Sequence, residues 1–329
     1  MKALAADYDA ALFDLDGVIY LGPYAVEGIP EALDELRSRG TNLGFVTNNA
    51  ARTPAAVAHH LEELGIRASE ADVVNSTQAT LRMLAADLPA GAKVLAVGTD
   101  ALAQQLSGAG FTVVTALEDE PMAVVQGYHP NIEWPRLEDA ALAIQNGAAW
   151  YATNPDLTRP SERGIVPGLG SQLGVVRNCV DVEPKIAGKP YRPLLDETVL
   201  RLSAKHAIFV GDRTDTDILG ANNVGMDSLF VFTGAHGKQD LAEAPPEYRP
   251  THIGFDASAL LEPKREAEFQ TQRYICGYQE VDFTEGVGYL SSRPVTRDEQ
   301  LDALWAGLQA KWRFDVDITN VLNSLDTLR

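Results

Sequence analysis

A chain of 329 residues that is 45% hydrophobic can bury a sizeable core, so disorder is excluded as a starting assumption and length alone suggests about two domains. Its formal charge of −19, with no run of Lys or Arg, offers no electrostatic footprint for nucleic acid or for an anionic membrane surface. The opening MKALAADYDA has no apolar signal region and no stretch approaches the roughly 20 apolar residues of a membrane span, so the expected location is cytoplasmic. Cys179 and Cys276 lack CxxC spacing and are expected to be two buried thiols, with no disulfide framework and no thiolate metal site.

YDAALFDLDGV is a short apolar run ending in acidic and glycine residues, which predicts a buried strand that stops in a loop. A helix near IPEALDELRSRG, a strand NLGFVTNN, a helix TPAAVAHHLEELG and a further strand and helix in ADVVNSTQATLRML follow. This alternation is βαβαβ, hence a parallel α/β sheet with helices on both faces. It resumes late as AIFVGD, TDILGANNVG and SLFVFTG, the other half of the same sheet. Between Thr80 and Val182 a long stretch carries its own strands (KVLAVG, FTVVTAL, MAVVQGY, AWYATN) and helices (ALAQQLSGAG, LEDAALAIQNG). It is too long for a loop and reads as an inserted α/β domain that would roof a site at the carboxyl ends of the core strands. The expected division is therefore core 1–79, inserted cap 80–182, core 183–262 and a small α+β C-terminal extension 263–329.

In the extension the alternation breaks, and strand-like RYICGYQEV leads to TRDEQLDALWAGLQAKW. Thr296 and Glu299 have capping-box spacing, and Leu301, Leu304, Trp305, Leu308 and Trp312 form a helical stripe. That stripe packs either on the chain's own body or at a subunit or partner interface, the subunit case giving a homodimer. The strand–helix–strand outline resembles a fragment of an acetyltransferase-like fold without a glycine-rich acetyl-CoA loop, so no catalysis is assigned to it.

Chemistry-bearing residues stand at four predicted strand ends. Asp14 and Asp16, in Phe13-Asp14-Leu15-Asp16-Gly17, are two carboxylates two residues apart. A carboxylate there can attack phosphorus, while its neighbour protonates the leaving alkoxide and later activates water. DxDG also begins calcium loops, but no glutamate follows at the calcium-loop distance with the right intervening acids, since Glu27 sits in an EGIP turn. Thr47, Asn48 and Asn49 precede a helix, where a hydroxyl and free amides can hold a phosphoryl oxygen, or simply cap the helix. Lys189, in Gly188-Lys189-Pro190, is a cation between backbone-restricting residues, able to neutralise a nucleophile and a phosphate or to sit in a surface turn. Gly211-Asp212-Arg213-Thr214-Asp215-Thr216-Asp217 brings three more carboxylates to a strand tip, and like charges this close call for a cation such as Mg²⁺.

The order DxD, T, K, GDxxxxD resembles the four motifs of the haloacid dehalogenase (HAD) superfamily, matched by Asp14/Asp16, Thr47, Lys189 and Asp212/Asp217. VTNNAARTP, ATNPDLTRP, GIVPGLGSQL and GDRTDTDILGANNVGMDSLFVFTG further resemble its para-nitrophenyl phosphatase branch (subclass IIA, C2-type cap), over about residues 8 to 262. The resemblance implies a Rossmann-like core, Asp14 as nucleophile, Asp16 as acid/base, and Mg²⁺ held by Asp14, the Asp16 carbonyl and Asp212, with Asp217 orienting metal-bound water. Thr47, Asn48, Asn49 and Lys189 would grip the phosphate. The implied substrate is a small phosphomonoester, with glycerol 3-phosphate favoured and phosphoglycolate or a broad para-nitrophenyl phosphatase range next.

Substrate choice would lie in the cap, with Tyr128, His129, Asn154 and Arg159 as candidates. Many relatives have Gly-Phe/Tyr-Asp where this chain has Gly127-Tyr128-His129, and Arg159 stands where an apolar residue is commoner. Gly168-Leu169-Gly170-Ser171-Gln172-Leu173-Gly174 mimics a dinucleotide loop, but its spacing is wrong and it reads as a helix start. Two rival classes are a phosphotransferase or mutase using the same aspartate, and a non-catalytic phosphate-binding module.

Overall fold

The computed structural model describes residues 2–161 and 163–329. Contacts divide the chain into one unit formed by Met1–Gly44, Leu64–Ile66 and Leu202–Arg329, and another formed by Phe45–Glu63 and Arg67–Arg201.

The first unit begins with β1 (Ala10–Phe13), whose four residues are all fully buried, as a central parallel strand covered on both faces must be. A small hairpin, β2 (Tyr20–Leu21) and β3 (Tyr24–Ala25), leads to α1 (Ile29–Ser38) and β4 (Asn42–Thr47). In the second unit follow α2 (Pro54–Glu63), β5 (Val73–Asn75), α3 (Ser76–Asp87), β6 (Lys93–Val97), α4 (Asp100–Gly108), β7 (Thr112–Val114), β8 (Ala123–Gln126), α5 (Trp134–Gln145) and β9 (Ala149–Ala152). A second hairpin, β10 (Thr158–Ser161) with β11 (Gly164–Pro167), precedes α6 (Leu169–Arg177), β12 (Lys185–Ile186) and α7 (Arg192–Leu202). The chain re-enters the first unit with β13 (Ala207–Gly211), α8 (Leu219–Val224), β14 (Asp227–Val231), α9 (Lys238–Glu243) and β15 (His252–Gly254). It then forms four short strands, β16 (Ala267–Gln270), β17 (Arg273–Cys276), β18 (Gln279–Thr284) and β19 (Val287–Leu290), and the helices α10 (Arg297–Phe314) and α11 (Thr319–Asn323).

In the first unit β1, β13, β14 and β15 pair side by side in parallel, and the Asn42–Gly44 end of β4 is the next neighbour of β1. The Phe45–Thr47 end of β4 pairs in parallel with β5 in the second unit. That unit also holds a five-stranded parallel sheet, ordered β12-β9-β8-β6-β7, with one apolar cluster on each face. This is the expected Rossmann-like α/β architecture, and Leu169 opens α6 where the glycine-rich decoy was read as a helix start.

The extension departs from its strand–helix–strand outline. It is a four-stranded antiparallel meander followed by α10, and the strands turn at Thr271-Gln272, Gly277-Tyr278 and Glu285-Gly286. Both residues of the first and third turns have positive φ, the condition for tight hairpin turns that match the twist of the strands. Thr296 caps α10 through its side chain and Glu299 reaches back, completing the capping box. The leucine and tryptophan stripe packs on the chain's own body. Leu301, Leu304, Trp305 and Leu308 join Phe230, Phe232, Leu241 and Ile253 in one cluster with Tyr274 and Val281 of the meander. Trp312 rests against that cluster and its indole nitrogen donates to the Leu241 carbonyl at 3.1 Å. The opposite face, Ala303, Ala306 and Ala310, is equally buried, so α10 is an internal helix.

The two-buried-thiols expectation fails at one position. Cys276 is buried, whereas Cys179, two residues past the end of α6, is exposed. Among the described residues no helix is long and apolar enough to cross a membrane.

Candidate functional site

The amide of Asp14 donates to the Val210 carbonyl at 2.9 Å, so the ladder between β1 and β13 continues one step and fixes Asp14 at the strand tip. The chain then turns tightly. The amides of Ile19 and Tyr20 donate to the Leu15 carbonyl and that of Gly17 to the Tyr20 carbonyl, with Gly17 at φ +93°. Only glycine fits there, since a Cβ would lie 2.6 Å from Asp212 Oδ2. Asp16 falls in this turn, beyond the strand, so strand alternation no longer governs it. It is exposed while Asp14 is half-buried.

Next to β1, β13 ends at Gly211 and delivers Asp212, 2% exposed. Residues Thr214–Ile218 make a π-helical turn, the Ile218 amide reaching back to the Arg213 carbonyl, before α8 begins. That turn swings Asp217, 1% exposed, back toward β13, where its Oδ2 accepts from the amides of Asp212 and Arg213 at 3.2 Å each. Asp212 Oδ2 accepts from the Ala235 amide at 2.6 Å. The third acid of the motif, Asp215, is turned to the Arg213 guanidinium at 2.8 and 3.0 Å.

One oxygen from each of Asp14, Asp212 and Asp217 lies within 4.8 Å of the others. Three carboxylates at that spacing, two of them buried, repel strongly in a medium less polar than water. The donor set is entirely hard oxygen, with no His or Cys in it, which fits a small hard dication such as Mg²⁺. The Asp16 carboxylate is not part of this group.

In the second unit β4 ends at Thr47, and its hydroxyl accepts from the Asn49 amide at 3.0 Å. Asn49 folds its own turn by accepting from Ala51 at 2.8 Å, the Asx pattern. Asn48 is a hub. Its Oδ1 accepts from the Lys189 amide at 2.8 Å, and its Nδ2 donates to the Lys189 carbonyl at 3.0 Å and to Asp156 Oδ1 at 3.1 Å. Its own carbonyl accepts from Asn154 Nδ2 and Ser76 Oγ, each at 2.7 Å. This two-way bridge presses the backbone so closely that a Cβ on Gly188 would lie 2.6 Å from Asn48 Oδ1 and 2.7 Å from the Thr153 carbonyl. Lys189 is thereby fixed with 2% exposure, a buried cation beside Asn48 rather than a surface lysine.

The cap candidates separate. Asn154 ties down the Asn48 carbonyl. The Arg159 guanidinium lies 4.7 Å from the Tyr128 ring centroid, a cation–π pair. His129 is held through its backbone by Gln172, and its Nδ1 accepts from the Asn131 amide at 3.1 Å. It lines a cleft of about 290 Å³ with Thr99, Asn131 and Arg136, which Tyr128 and Arg159 do not line. Sequence reasoning missed Asp156, which buttresses Asn48 from 108 residues away. Its position in Asn154-Pro155-Asp156, just past a strand end, was the available signal.

The haloacid dehalogenase-like hydrolase family model matches residues 11–112, and a second, HAD-hydrolase-like model matches residues 186–260. The chain is 45% identical over 260 residues to D-glycerol 3-phosphate phosphatase of Mycobacterium tuberculosis, covering 79% of this chain and 73% of that protein. It is 35% identical over 245 residues to acid sugar phosphatase of Staphylococcus aureus, covering 73% and 93%. The crystal structure of a Mycobacterium tuberculosis glycerol phosphate phosphatase in complex with magnesium superposes with a TM-score of 0.86 at 39% identity, covering 95% of this chain and 92% of that one.

Proposed function

Since this chain belongs to the haloacid dehalogenase family of hydrolases, we propose that it is a Mg²⁺-dependent phosphatase of glycerol 3-phosphate, acting through an aspartyl-phosphate intermediate. The observation that carries the reading is the convergence of Asp14, Asp212 and Asp217 at the tips of adjacent strands. The choice of substrate rests on the mycobacterial relative, which is 45% identical over 260 residues, 79% of this chain.

Asp14 is the nucleophile: its carboxylate oxygen forms a bond to phosphorus as the bond from phosphorus to the glycerol oxygen breaks. Asp16, exposed beside it, gives its proton to the departing alkoxide. It then takes a proton from the water that attacks the acyl phosphate, so that inorganic phosphate leaves and Asp14 is restored. Asp14, Asp212 and the Asp16 carbonyl would hold Mg²⁺, with Asp217 orienting metal-bound water, and the ion would offset the repulsion between the carboxylates and the phosphate dianion. Thr47, Asn48 and Asn49 supply hydrogen bonds and Lys189 a fixed positive charge for the phosphoryl oxygens. Asp156 fixes the carboxamide of Asn48. Residues 80–182 serve as the cap that selects the substrate, with Tyr128, His129 and Arg159 as its polar contacts. We place the enzyme in the cytoplasm.

The test is phosphate release from a panel of glycerol 3-phosphate, phosphoglycolate, sugar phosphates and para-nitrophenyl phosphate, with and without Mg²⁺, for wild type and Asp14→Asn. Fastest turnover of glycerol 3-phosphate, lost in the variant and without metal, is expected. Comparable rates on all esters would overturn the substrate, and an active Asp14→Asn would overturn the nucleophile.

A further inference from the structure

The loop after β14, Thr233–Lys238, is gripped on two sides within the first unit. On its inner side it holds Asp212. The Ala235 amide donates to Asp212 Oδ2 at 2.6 Å and the His236 amide to the Asp212 carbonyl at 3.2 Å. Thr233 Oγ1 donates to the Gly17 carbonyl in the turn after Asp14. A Cβ on Gly234 would stand 2.0 Å from Asp212 Oδ2, so loop and carboxylate are in direct contact.

On its outer side the loop is held by the segment Leu325–Arg329 of the extension, anchored by the buried Leu325 and Leu328. Arg329 Nη1 donates to the Gly234 carbonyl at 2.6 Å, and the Lys238 amide donates to the Arg329 carbonyl at 2.7 Å. Lys238 Nζ donates to the Leu325 carbonyl, and a Cβ on Gly237 would lie 2.5 Å from the Arg329 carbonyl oxygen.

The Gly234 carbonyl and the Ala235 amide are the two ends of one planar peptide unit. A guanidinium therefore binds its oxygen while the Asp212 carboxylate binds its N–H. A cation on the carbonyl polarises the unit and strengthens donation from the N–H, and the two anchors together forbid rotation of the peptide. We propose that Arg329 is a positioning residue of the metal centre, setting the orientation of the Asp212 carboxylate through the Gly234–Ala235 peptide. The extension, to which the sequence assigns no chemistry, thus supports a ligand of the catalytic ion. This rests on the reading of Asp212 as a Mg²⁺ ligand.

The experiment compares wild type, Arg329→Ala, Arg329→Lys and Asp212→Asn. Mn²⁺ affinity of the substrate-free protein is measured by electron paramagnetic resonance, alongside the Mg²⁺ concentration for half-maximal activity and KM for glycerol 3-phosphate at saturating Mg²⁺. Losses of an outer hydrogen bond to a metal ligand weaken metal binding by roughly 10–100-fold. Arg329→Ala is expected toward the lower end of that range, with KM changed less than about twofold and Arg329→Lys recovering part of the affinity. Unchanged Mn²⁺ affinity in a folded Arg329→Ala protein, even with a lowered Tm, overturns the proposal and leaves Arg329 a strut. Should the alanine variant not fold, Arg329→Gln is read by the same criteria. Mn²⁺ binding retained by Asp212→Asn instead overturns the ligand assignment itself, whatever Arg329 does.

Discussion

Asn48 shows how much one residue can organise: its side-chain carboxamide engages Lys189 and Asp156, and its backbone carbonyl accepts from Asn154 and Ser76. The closeness of Gly188 to that carboxamide is its most exposed point. Gly188→Ala is expected to force Asn48 and Lys189 apart, costing about 1–3 kcal/mol of stability, as overpacking of a tight site does. Thermal denaturation measures the first, and a raised KM for glycerol 3-phosphate at saturating Mg²⁺ reports the displaced lysine. At this scale Asp14, Thr47 and Asp212 stood out because each follows an apolar run, whose end is visible in one dimension, and Lys189 because it sits between glycine and proline. Asp156 and Arg329 were not, because their partners stand 108 and 95 residues away and nothing local marks either side chain as an anchor. The exposure of Cys179 was misread for a related reason, since composition gives a residue's usual burial and not what covers it.

Secondary structure was easiest to read where period and cap agreed. The capping box predicted from Thr296 and Glu299 is formed at α10, and Thr296→Ala is expected to cost about 1 kcal/mol, seen as a lowered denaturation midpoint with kcat unchanged. The stripe on α10 was visible because leucine and tryptophan are large. Its second buried face was not, because Ala303, Ala306 and Ala310 carry too little apolar surface to stand out from a solvated helix. The meander went unread since its first and third turns use Thr-Gln and Glu-Gly instead of the Asn-Gly that usually announces two residues of positive φ. The strands β10, β11, β2 and β3 are likewise too short to establish a period.

For the molecule as a whole, the parallel α/β architecture followed from strand and helix alternation. Its acid stability has an identifiable contributor at the start of β15. Burial holds His252 below its ordinary value of 6.5, with Asp227 opposing, and Tyr8 donates to Asp227 at 2.8 Å beside it. A histidine depressed in the folded state binds fewer protons there than in the unfolded chain. Its stabilising effect is complete above about pH 6.5 and is lost as pH falls through the lower folded value. His252→Gln is expected to flatten the pH dependence of urea-denaturation free energy below pH 6.5, and an unchanged slope would assign that dependence to other groups.

The pairing of β1 with β13 also sets a timetable for biosynthesis. The strand that carries the nucleophile, four fully buried residues ending at Phe13, meets one of its two neighbours only when Ala207–Gly211 has been made. At about 5–20 residues per second the ribosome needs roughly 10–40 s to cover that interval. For that time an entirely apolar strand edge waits unpaired on the nascent chain, so the production of active enzyme in cells should depend on holding chaperones, and slower translation should increase the fraction lost to aggregation.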